Sequence, residues 1–278
     1  MNLFFVCGAP KSGTTWLQRI LDAHPEVCCS GEGHFITRFS GPLATVMNDY
    51  NRELKVEAQQ VYEGSPYYAP VSQAEFDDMA RSFILARMKA RADARTRWVG
   101  DKTPSYTRNL DILHRLFPTA KIIHIVRDPR DVAVSRMAHN RRAGRTEALT
   151  PGAEQHRLTL QSAVQIWIDA VTAVDAFAQK HPGLVHELRY RDLHDDPIGA
   201  AGRLFGFLGA PCDPVLIAQV AAATSFESLA GRKPGEEDMS SFLRKGVVGD
   251  WRDTLDADSV RLISESCGEL MRQKRIAA

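Results

Sequence analysis

The sequence predicts an α/β fold of three layers, in which helices cover both faces of a central parallel sheet. Short apolar runs alternate along the chain with segments of helical composition. The first apolar run leads directly into a glycine-containing loop and then a helix, as in P-loop-like folds. The chain has 278 residues, 44% hydrophobic and 25% charged. This composition is typical of one globular chain with a full core, and we expect a single domain over residues 1–278.

Four segments are predicted to be buried strands because they are short, apolar and rich in β-branched or aromatic residues. Phe-Phe-Val lies in the first of them, and Ile-Ile-His-Ile-Val in the third. The four are Leu3–Cys7, Trp98–Gly100, Lys121–Val126 and Leu184–Leu188.

The segments between these runs have helical composition and helix start or stop signals, such as His24-Pro25 after the first helix. Helices are predicted over Thr14–Ala23, Glu75–Ala94, Arg130–Arg142, Glu154–Gln179, Ala200–Leu208, Pro214–Ala223 and Ser259–Lys274. Two stretches, Ile36–Ser72 and Arg141–Thr150, are predicted to be loop-rich insertions over one face.

The charge balance limits the classes of partner. With 35 basic against 34 acidic residues, the chain lacks the net positive field of a nucleic-acid or anionic-membrane binder. No apolar run approaches the ~20 residues of a membrane span, and the first residues do not read as a secretory signal. The five cysteines show no metal-ligand spacing, so we expect reduced thiols, a cytoplasmic protein and no metal.

The strongest local signal is the loop Gly8-Ala9-Pro10-Lys11-Ser12-Gly13-Thr14-Thr15-Trp16. Glycines let a backbone wrap an anion, and the N–H groups of a helix start point at it. Lys11 adds a mobile charge, and Thr14 and Thr15 add hydroxyl donors. A Walker A loop would place lysine at position 14. The alternative is a Gly/Ser turn that holds a lysine by chance.

This loop resembles the 5′-phosphosulfate loop of sulfotransferases that use 3′-phosphoadenylyl sulfate (PAPS). The resemblance implies a P-loop-like fold in which the loop binds the phosphosulfate. The residues so implied are Pro10, Lys11, Ser12, Gly13, Thr14, Thr15 and Trp16.

Two further segments resemble the family's 3′-phosphate motifs. Arg127 stands at the carboxyl end of a predicted strand, where ligands bind in open α/β sheets, and Ser135 lies two helical turns later. Arg244-Lys245-Gly246 opens a string that ends in Gly-Asp-Trp, as in cytosolic sulfotransferases. The resemblance implies that these five residues hold the 3′-phosphate; a surface arginine and a basic loop are the alternatives.

Short segments around Tyr190 and Thr224-Ser225-Phe226 also match the family. The resemblance implies that Trp16 and Phe226 sandwich the adenine, while Tyr190 and Thr224 contact it through polar groups. Without the flanking motifs, ordinary core packing would explain Phe226 and Tyr190. The matches run from residue 4 to residue 252 and leave 36–97 and 141–155 as substrate-side insertions.

The catalytic residues implied are Lys11, at the leaving oxygen, Lys102, at the sulfuryl group, and a general base. Cytosolic members carry a histidine where this chain has Pro104. Glu32 resembles the glutamate of Golgi-type carbohydrate sulfotransferases, and His34 is the second candidate. A histidine has a pKa of about 6.5 against 4.3 for a glutamate, so Glu32 would need a raised pKa or an acceptor already losing its proton. A capping carboxylate and a satisfied histidine are the structural alternatives.

The sequence therefore predicts an enzyme that moves a sulfuryl group from PAPS to a hydroxyl or amine and releases 3′-phosphoadenosine 5′-phosphate (PAP), without a metal. The acceptor is a small molecule, a lipid or a carbohydrate, and not a nucleic acid. A P-loop small-molecule or nucleoside kinase and a non-catalytic PAP-binding module are the alternatives. The sequence leaves open whether the protein is a monomer or a homodimer.

Overall fold

One parallel sheet forms the centre of the molecule. The computed structural model describes residues 1–65, 67–145, 153–241 and 243–277. In this part of the chain, five strands pair in the order β2-β3-β1-β4-β5, and each pair is parallel. The strands are β1 Asn2–Cys7, β2 Val27–Gly31, β3 Trp98–Lys102, β4 Lys121–Val126 and β5 Val185–Arg189. The predicted α/β class with a central parallel sheet is confirmed.

Helices cover both faces of this sheet. They are α1 Thr14–Asp22, α2 Gly41–Gln60, α3 Gln73–Lys89, α4 Leu110–Leu116, α5 Pro129–Arg142, α6 Glu154–Lys180, α7 Tyr190–Asp195, α8 Pro197–Leu208, α9 Pro214–Ala223, α10 Phe226–Ala230, α11 Trp251–Thr254 and α12 Ala257–Gln273.

Side chains of β1 alternate between two cores because successive residues of a strand point to opposite faces. Phe4 and Val6 pack into the core that contains α1, α8 and α9. Phe5 and Cys7 pack into the core that contains α3, α4 and the end of α6. A third cluster joins α5, α6 and α12 around the fully buried Trp167. This alternation produces the three layers that the sequence predicts.

The sequence analysis missed β2. Its residues, Val-Cys-Cys-Ser-Gly, form a short strand with a single β-branched side chain, so its composition gives little signal. The strand is held instead by backbone pairing with β3, from Val27 opposite Trp98 to Gly31 opposite Lys102. This strand matters for the site because its carboxyl end leads directly to Glu32.

The prediction that Ile36–Ser72 is loop-rich was wrong. A π-helical turn at Phe35–Ser40 leads into α2, which has twenty residues. Within α2 only Ala58 is buried, so the helix lacks the apolar stripe by which sequence patterns reveal helices.

The segment 104–116, to which the sequence analysis assigned no element, forms a 3-10 turn at Pro104–Arg108 and then α4. In the other predicted insertion, residues 146–152 lie outside the described residues.

Candidate active site

The carboxyl ends of all five strands meet at one cavity of about 900 Å³. The order of the strands places the switch point of the sheet between β1 and β4, where ligands bind in open α/β sheets. Most residues singled out from the sequence line this cavity: Pro10, Lys11, Gly13, Thr14, Thr15, Trp16, Glu32, His34, Arg127, Ser135, Tyr190, Thr224, Phe226, Arg244, Lys245 and Gly246. Ser12 and Lys102 are buried directly behind its wall.

The loop between β1 and α1 depends on its two glycines. Gly8 has φ +155°, and a Cβ there would lie 2.6 Å from the carbonyl oxygen of Ile125. Gly13 precedes α1 with φ +97°, where a Cβ would lie 2.5 Å from the ring of Tyr190. Side chains at either position would force the loop away from β4 and β5. The start of α1 has no side-chain cap, so no side chain at the N-cap position accepts from its first N–H groups.

Lys11 occupies an unusual backbone position for a residue with a side chain, at φ +77°. Burial lowers the pKa of its ammonium group, and the positive charges of Arg142 and Arg136 lower it further, while Glu32 acts in the opposite direction. Nearby, the hydroxyl of Ser12 is buried and has no hydrogen-bond partner among the described residues. A cation and an unsatisfied hydroxyl on a wrapped loop fit an anionic ligand.

Glu32 lies between two basic groups. Its carboxylate accepts a hydrogen bond of 2.6 Å from Lys102 Nζ and lies 3.2 Å from Nε2 of His34. Lys102 is buried, with a side-chain exposure of 5%, and also donates to the hydroxyl of Thr15 at 3.3 Å. Burial favours the neutral acid, but the hydrogen bond and charge of Lys102, with His34, outweigh it and hold the pKa of Glu32 below its usual value. The expected raised pKa is therefore not found.

Asp101 positions the backbone that carries Glu32 and His34. Its buried carboxylate accepts from the N–H of Gly33 at 3.0 Å, from the Tyr106 hydroxyl at 2.6 Å and from the Thr103 hydroxyl at 2.8 Å. Thr103 in turn accepts from the N–H of His34. Burial raises the pKa of Asp101 although these donors oppose the rise. Sequence reasoning used this stretch only for Lys102 and missed the supporting carboxylate.

Arg127 connects the two ends of the cavity. At the end of β4, it donates to the carbonyl of Lys11 at 3.3 Å and to that of Val247 at 3.1 Å. Its guanidinium stacks on the ring of Tyr190 at 4.3 Å. Its Nε is buried and, in the part of the chain that the structure describes, has no hydrogen-bond partner. Ser135 lines the same cavity from α5, so the predicted pair faces one space.

The segment Arg244–Gly246 is also at the cavity, but its cations are already paired. Arg244 bonds to Asp250 and to Glu237, and Lys245 Nζ lies 2.5 Å from Asp250 Oδ1. The pKa of Asp250 lies below its usual value. Burial alone would raise this pKa, but the hydrogen bonds and charges of Lys245 and Arg244 outweigh the effect of burial. Gly246 has φ +63° against the ring of Phe226. Neither Glu237 nor Asp250 was singled out from the sequence.

Asp131 ties this segment to the sheet. Its carboxylate accepts from the N–H of Gly249 at 2.8 Å and of Trp251 at 3.1 Å, and it lies 3.8 Å from Nε of Arg127. Asp131 is buried, and this burial raises its pKa against the opposing charge of Arg127. Asp131 thus joins Arg127 to the segment that follows Arg244–Gly246. The sequence analysis assigned both to the 3′-phosphate but did not single out Asp131.

The aromatic end of the cavity brings together the four residues predicted to surround a base. Trp16 donates to the carbonyl of Thr224 at 2.8 Å and meets the ring of Tyr190 edge-on at 5.4 Å. Phe226 lines the same space and is covered by the guanidinium of Arg232 at 5.1 Å. The Thr224 hydroxyl already donates to the carbonyl of Val220, which leaves it as an acceptor.

Basic residues of α5 form a further wall that sequence reasoning missed. Arg136, His139, Arg142 and Arg145 line the cavity next to Ser135. The only signal in the sequence that could have assigned residues of α5 to the cavity is their helical spacing from Ser135. Among the described residues, no three or more His, Cys, Asp or Glu side chains are grouped to hold a metal ion.

Comparison with known proteins gives one consistent result. A profile described as "Sulfotransferase family" matches residues 4–214. A putative protein-tyrosine sulfotransferase of Caenorhabditis briggsae is 23% identical over 264 residues, covering 95% of this chain and 85% of that protein. Human protein-tyrosine sulfotransferase 1 is 30% identical over 130 residues, covering 47% and 32%. The chain thus spans about a third of the length of several curated relatives.

Among solved structures, mouse sulfotransferase SULT7A1 complexed with PAP superposes with a TM-score of 0.56 at 21% identity, covering 98% of this chain and 85% of that one. At this identity, the superposition shows that the two proteins share a fold.

Proposed function

Since this chain belongs to the sulfotransferase family, we propose that it transfers the sulfuryl group of PAPS to an acceptor hydroxyl or amine and releases PAP. The observation that carries the proposal is the single cavity at which the loop after β1, Arg127 with Ser135, and Arg244–Gly246 converge around Glu32. A ligand with a 5′-phosphosulfate and a 3′-phosphate on one ribose needs two anion sites beside a pocket for its base, and candidate residues for all three line this cavity.

The groups present fit such a ligand. The buried Ser12 hydroxyl and Arg127 Nε have no hydrogen-bond partner within the described residues, one at each proposed anion site. A Cβ at Gly13 or Gly246 would collide with the ring of Tyr190 or of Phe226, so glycine lets both segments lie against the aromatic side chains. PAPS, when bound, supplies an activated sulfuryl group and the PAP leaving group. We assign the phosphosulfate to residues 10–16, and the 3′-phosphate to Arg127, Ser135, Arg244, Lys245 and Gly246. The base is assigned to Trp16, Phe226, Tyr190 and Thr224.

The chain's own residues provide charge and a proton acceptor. Lys11 neutralises the oxygen that leaves, and Lys102 faces the sulfuryl oxygens. Glu32 is held as a carboxylate, so it accepts the acceptor's proton without first losing one. Each contact that Lys102 makes to a sulfuryl oxygen weakens its hydrogen bond to Glu32. Because the Glu32 carboxylate then loses stabilisation, its proton affinity rises as transfer proceeds. His34, 3.2 Å from Glu32, orients the carboxylate and is the second candidate base.

Two organisational features belong to the same proposal. The whole chain, 1–278, acts as one domain, and the insertions 36–97 and 141–155 form the acceptor side. The π-helical turn that leads into α2 begins directly after His34, and Arg142 and Arg145 line the cavity. The acceptor is a small molecule, a lipid or a carbohydrate. Protein tyrosine belongs in any acceptor screen because two relatives are named for it.

A cytoplasmic location is proposed from the cysteines. Cys7, Cys28, Cys29 and Cys267 are buried free thiols, and Cys212 is an exposed one; such thiols are typical of reducing compartments. In the part of the chain that the structure describes, no helix is both long and apolar enough to cross a membrane. Cell fractionation with a tagged protein tests the location.

A calorimetric titration with PAP, followed by transfer of label from PAPS to an acceptor panel, tests the function. We expect PAP to bind and label to pass to an acceptor. Absence of PAP binding contradicts the proposal, and binding without turnover across the panel indicates a non-catalytic module. Glu32→Gln should abolish transfer and retain PAP binding. Normal turnover by that variant moves the base elsewhere, and His34→Ala then tests the second candidate.

A further inference from the structure

One wall of the cavity carries positive charge that the proposed PAPS contacts do not use. Arg136, His139 and Arg142 follow each other at three-residue intervals, so they share one face of α5, and Arg145 continues the wall just beyond the helix end. We call these four residues the α5 basic face. All four line the cavity that also holds Lys11.

These arginines are not balanced by acids in the described structure. Arg136 contacts the Ser162 hydroxyl at 3.5 Å, and Arg142 bonds to the carbonyl of Ser241 and to Nδ1 of His139. Among the described residues no ion pair involves Arg136, Arg142 or Arg145, whereas Arg244 and Lys245 both bond to Asp250.

The positive charges of the face act on one another. Burial lowers the pKa of His139, and the charges of Lys11, Arg142, Arg145 and Arg136 lower it further, so its imidazole is neutral at pH 7. Burial also lowers the pKa of Arg136, with a smaller contribution from Arg145. Arg136 and His139 are half-buried, and Arg142 and Arg145 are exposed. The mutual repulsion of these like charges is relieved by an anion that brings its own negative charge and hydrogen-bond acceptors.

The position of the face indicates which anion. The charges of Arg142 and Arg136 act on Lys11, where sulfuryl transfer is proposed to occur. Arg142 and Arg145 also belong to the segment 141–155 that is proposed to form part of the acceptor side. The two anionic groups of PAPS already have other sites in the proposal, at residues 10–16 and at Arg127 and Arg244. A group bound to the α5 basic face therefore belongs to the acceptor.

We propose that the α5 basic face is a subsite for an anionic group of the acceptor, so that the enzyme prefers acceptors carrying a carboxylate or sulfate close to the hydroxyl that is sulfated. This inference rests on the proposed sulfotransferase function and narrows its substrate class. The neutral His139 accepts from Arg142 and fixes its guanidinium at the cavity wall. The guanidinium group of Arg136 supplies a second set of N–H donors for the anionic group, beside that of Arg142.

The test uses matched acids and amides as probes on PAP-saturated protein. One pair is 4-hydroxyphenylacetate and 4-hydroxyphenylacetamide, and the other is glucuronate and glucuronamide, so the two arms separate a phenolic from a sugar source of the anion. Calorimetry should show at least one acid binding about tenfold or more tighter than its amide, the effect of one charge-assisted hydrogen bond. Transfer from PAPS should follow the same order.

Variants assign the preference to the face. Arg136→Gln should reduce binding of the acid to near that of its amide while the Kd for PAP changes by less than about threefold. Arg142→Gln should act in the same direction. Arg141→Gln, which removes an exposed arginine of the same helix turn, is the matched control and should change neither value.

Three results would overturn the inference. In the first, neither acid binds the PAP-loaded protein better than its amide. In the second, Arg136→Gln weakens PAP and both members of a pair alike, which would assign the arginine to PAPS. In the third, Arg141→Gln removes the preference as fully as Arg136→Gln does. Failure of PAP itself to bind would instead contradict the proposed function.

Discussion

The two proposed anion sites of the cavity are built differently. At the loop after β1, glycine geometry and strand packing hold the backbone, and Lys11 and Ser12 sit on a rigid connection between β1 and α1. At the basic segment Arg244–Gly246, the cations are held by carboxylates, with Asp250 bonding to both of them. The packing of Gly8 and Gly13 fixes the backbone of the first site in advance, whereas the cations of the second site must exchange a carboxylate for an anion.

This difference predicts that the two sites contribute to different steps of the reaction. A preorganised site gives its full electrostatic stabilisation to a developing charge because nothing has to reorganise. A site that exchanges ion pairs gains less from each new contact because it loses an old one. We therefore expect the β1 loop to govern the rate of transfer and the basic segment to govern PAP affinity.

Removal of Lys11 should produce the largest effect. Lys11→Ala should lower kcat by about 100- to 1,000-fold, as the loss of a preorganised donor does elsewhere, with a smaller change in the Kd for PAP. Steady-state kinetics with labelled PAPS and calorimetry with PAP measure the two quantities. Lys89→Ala, at an exposed lysine of α3, is the control. A loss of PAP affinity equal to the loss of kcat would remove the proposed distinction between the sites.

The acid limb of the pH profile separates the two candidate bases by the next largest factor. The lowered pKa of Glu32 means that the carboxylate stays ionised as the pH falls, so kcat/KM at pH 5 should remain within about twofold of its neutral value. A histidine base of ordinary pKa, about 6.5, would lose about thirtyfold at that pH. Rates between pH 4 and pH 8 decide the matter, and a limb near pH 6.5 would assign the base to an imidazole.

Separation of the basic segment from the sheet should have a moderate effect. Asp131→Asn removes the charge beside Arg127 and weakens the bonds to the N–H groups of Gly249 and Trp251, so the Kd for PAP should rise about tenfold. Melting temperature and kcat at saturating PAPS separate this effect from global destabilisation. Asp253→Asn, at an exposed acid of α11, serves as control. An unchanged PAP affinity would show that the segment is held by other contacts.

The smallest effect is expected from the carboxylate that competes for Arg244. Glu237 is 38% exposed, so its contribution is screened by solvent. Glu237→Gln should tighten PAP binding by about two- to fivefold, because the guanidinium no longer gives up an ion pair. Glu236→Gln is the neighbouring control. Weaker PAP binding by Glu237→Gln would mean that the carboxylate orients Arg244 and does not compete with the ligand.

The residues that the sequence analysis singled out belong to contiguous motifs. Pro10–Trp16 and Arg127 are recognisable because loop, strand and helix signals surround them. Asp101 and Asp131 were missed because each acts on a segment distant in the chain, as Asp131 does on Gly249 at a separation of 118 residues. Strand β2 was missed for the same reason, since its pairing with β3 comes from a neighbour 71 positions later.

The sequence by itself determined the fold class, the order of the anion-binding segments and the identity of their cations, because local periodicity and contiguous motifs encode these properties. Only the tertiary structure decided which ion-pair partners these charged groups have, how their pKa values shift and which side chains line the cavity. It pairs Arg244 and Lys245 with Asp250, it sets Lys102 against Glu32 so that the pKa of the carboxylate is lowered, and it turns the α5 basic face toward the cavity. Charge state and burial depend on neighbours brought together through space, and no local pattern specifies those distances.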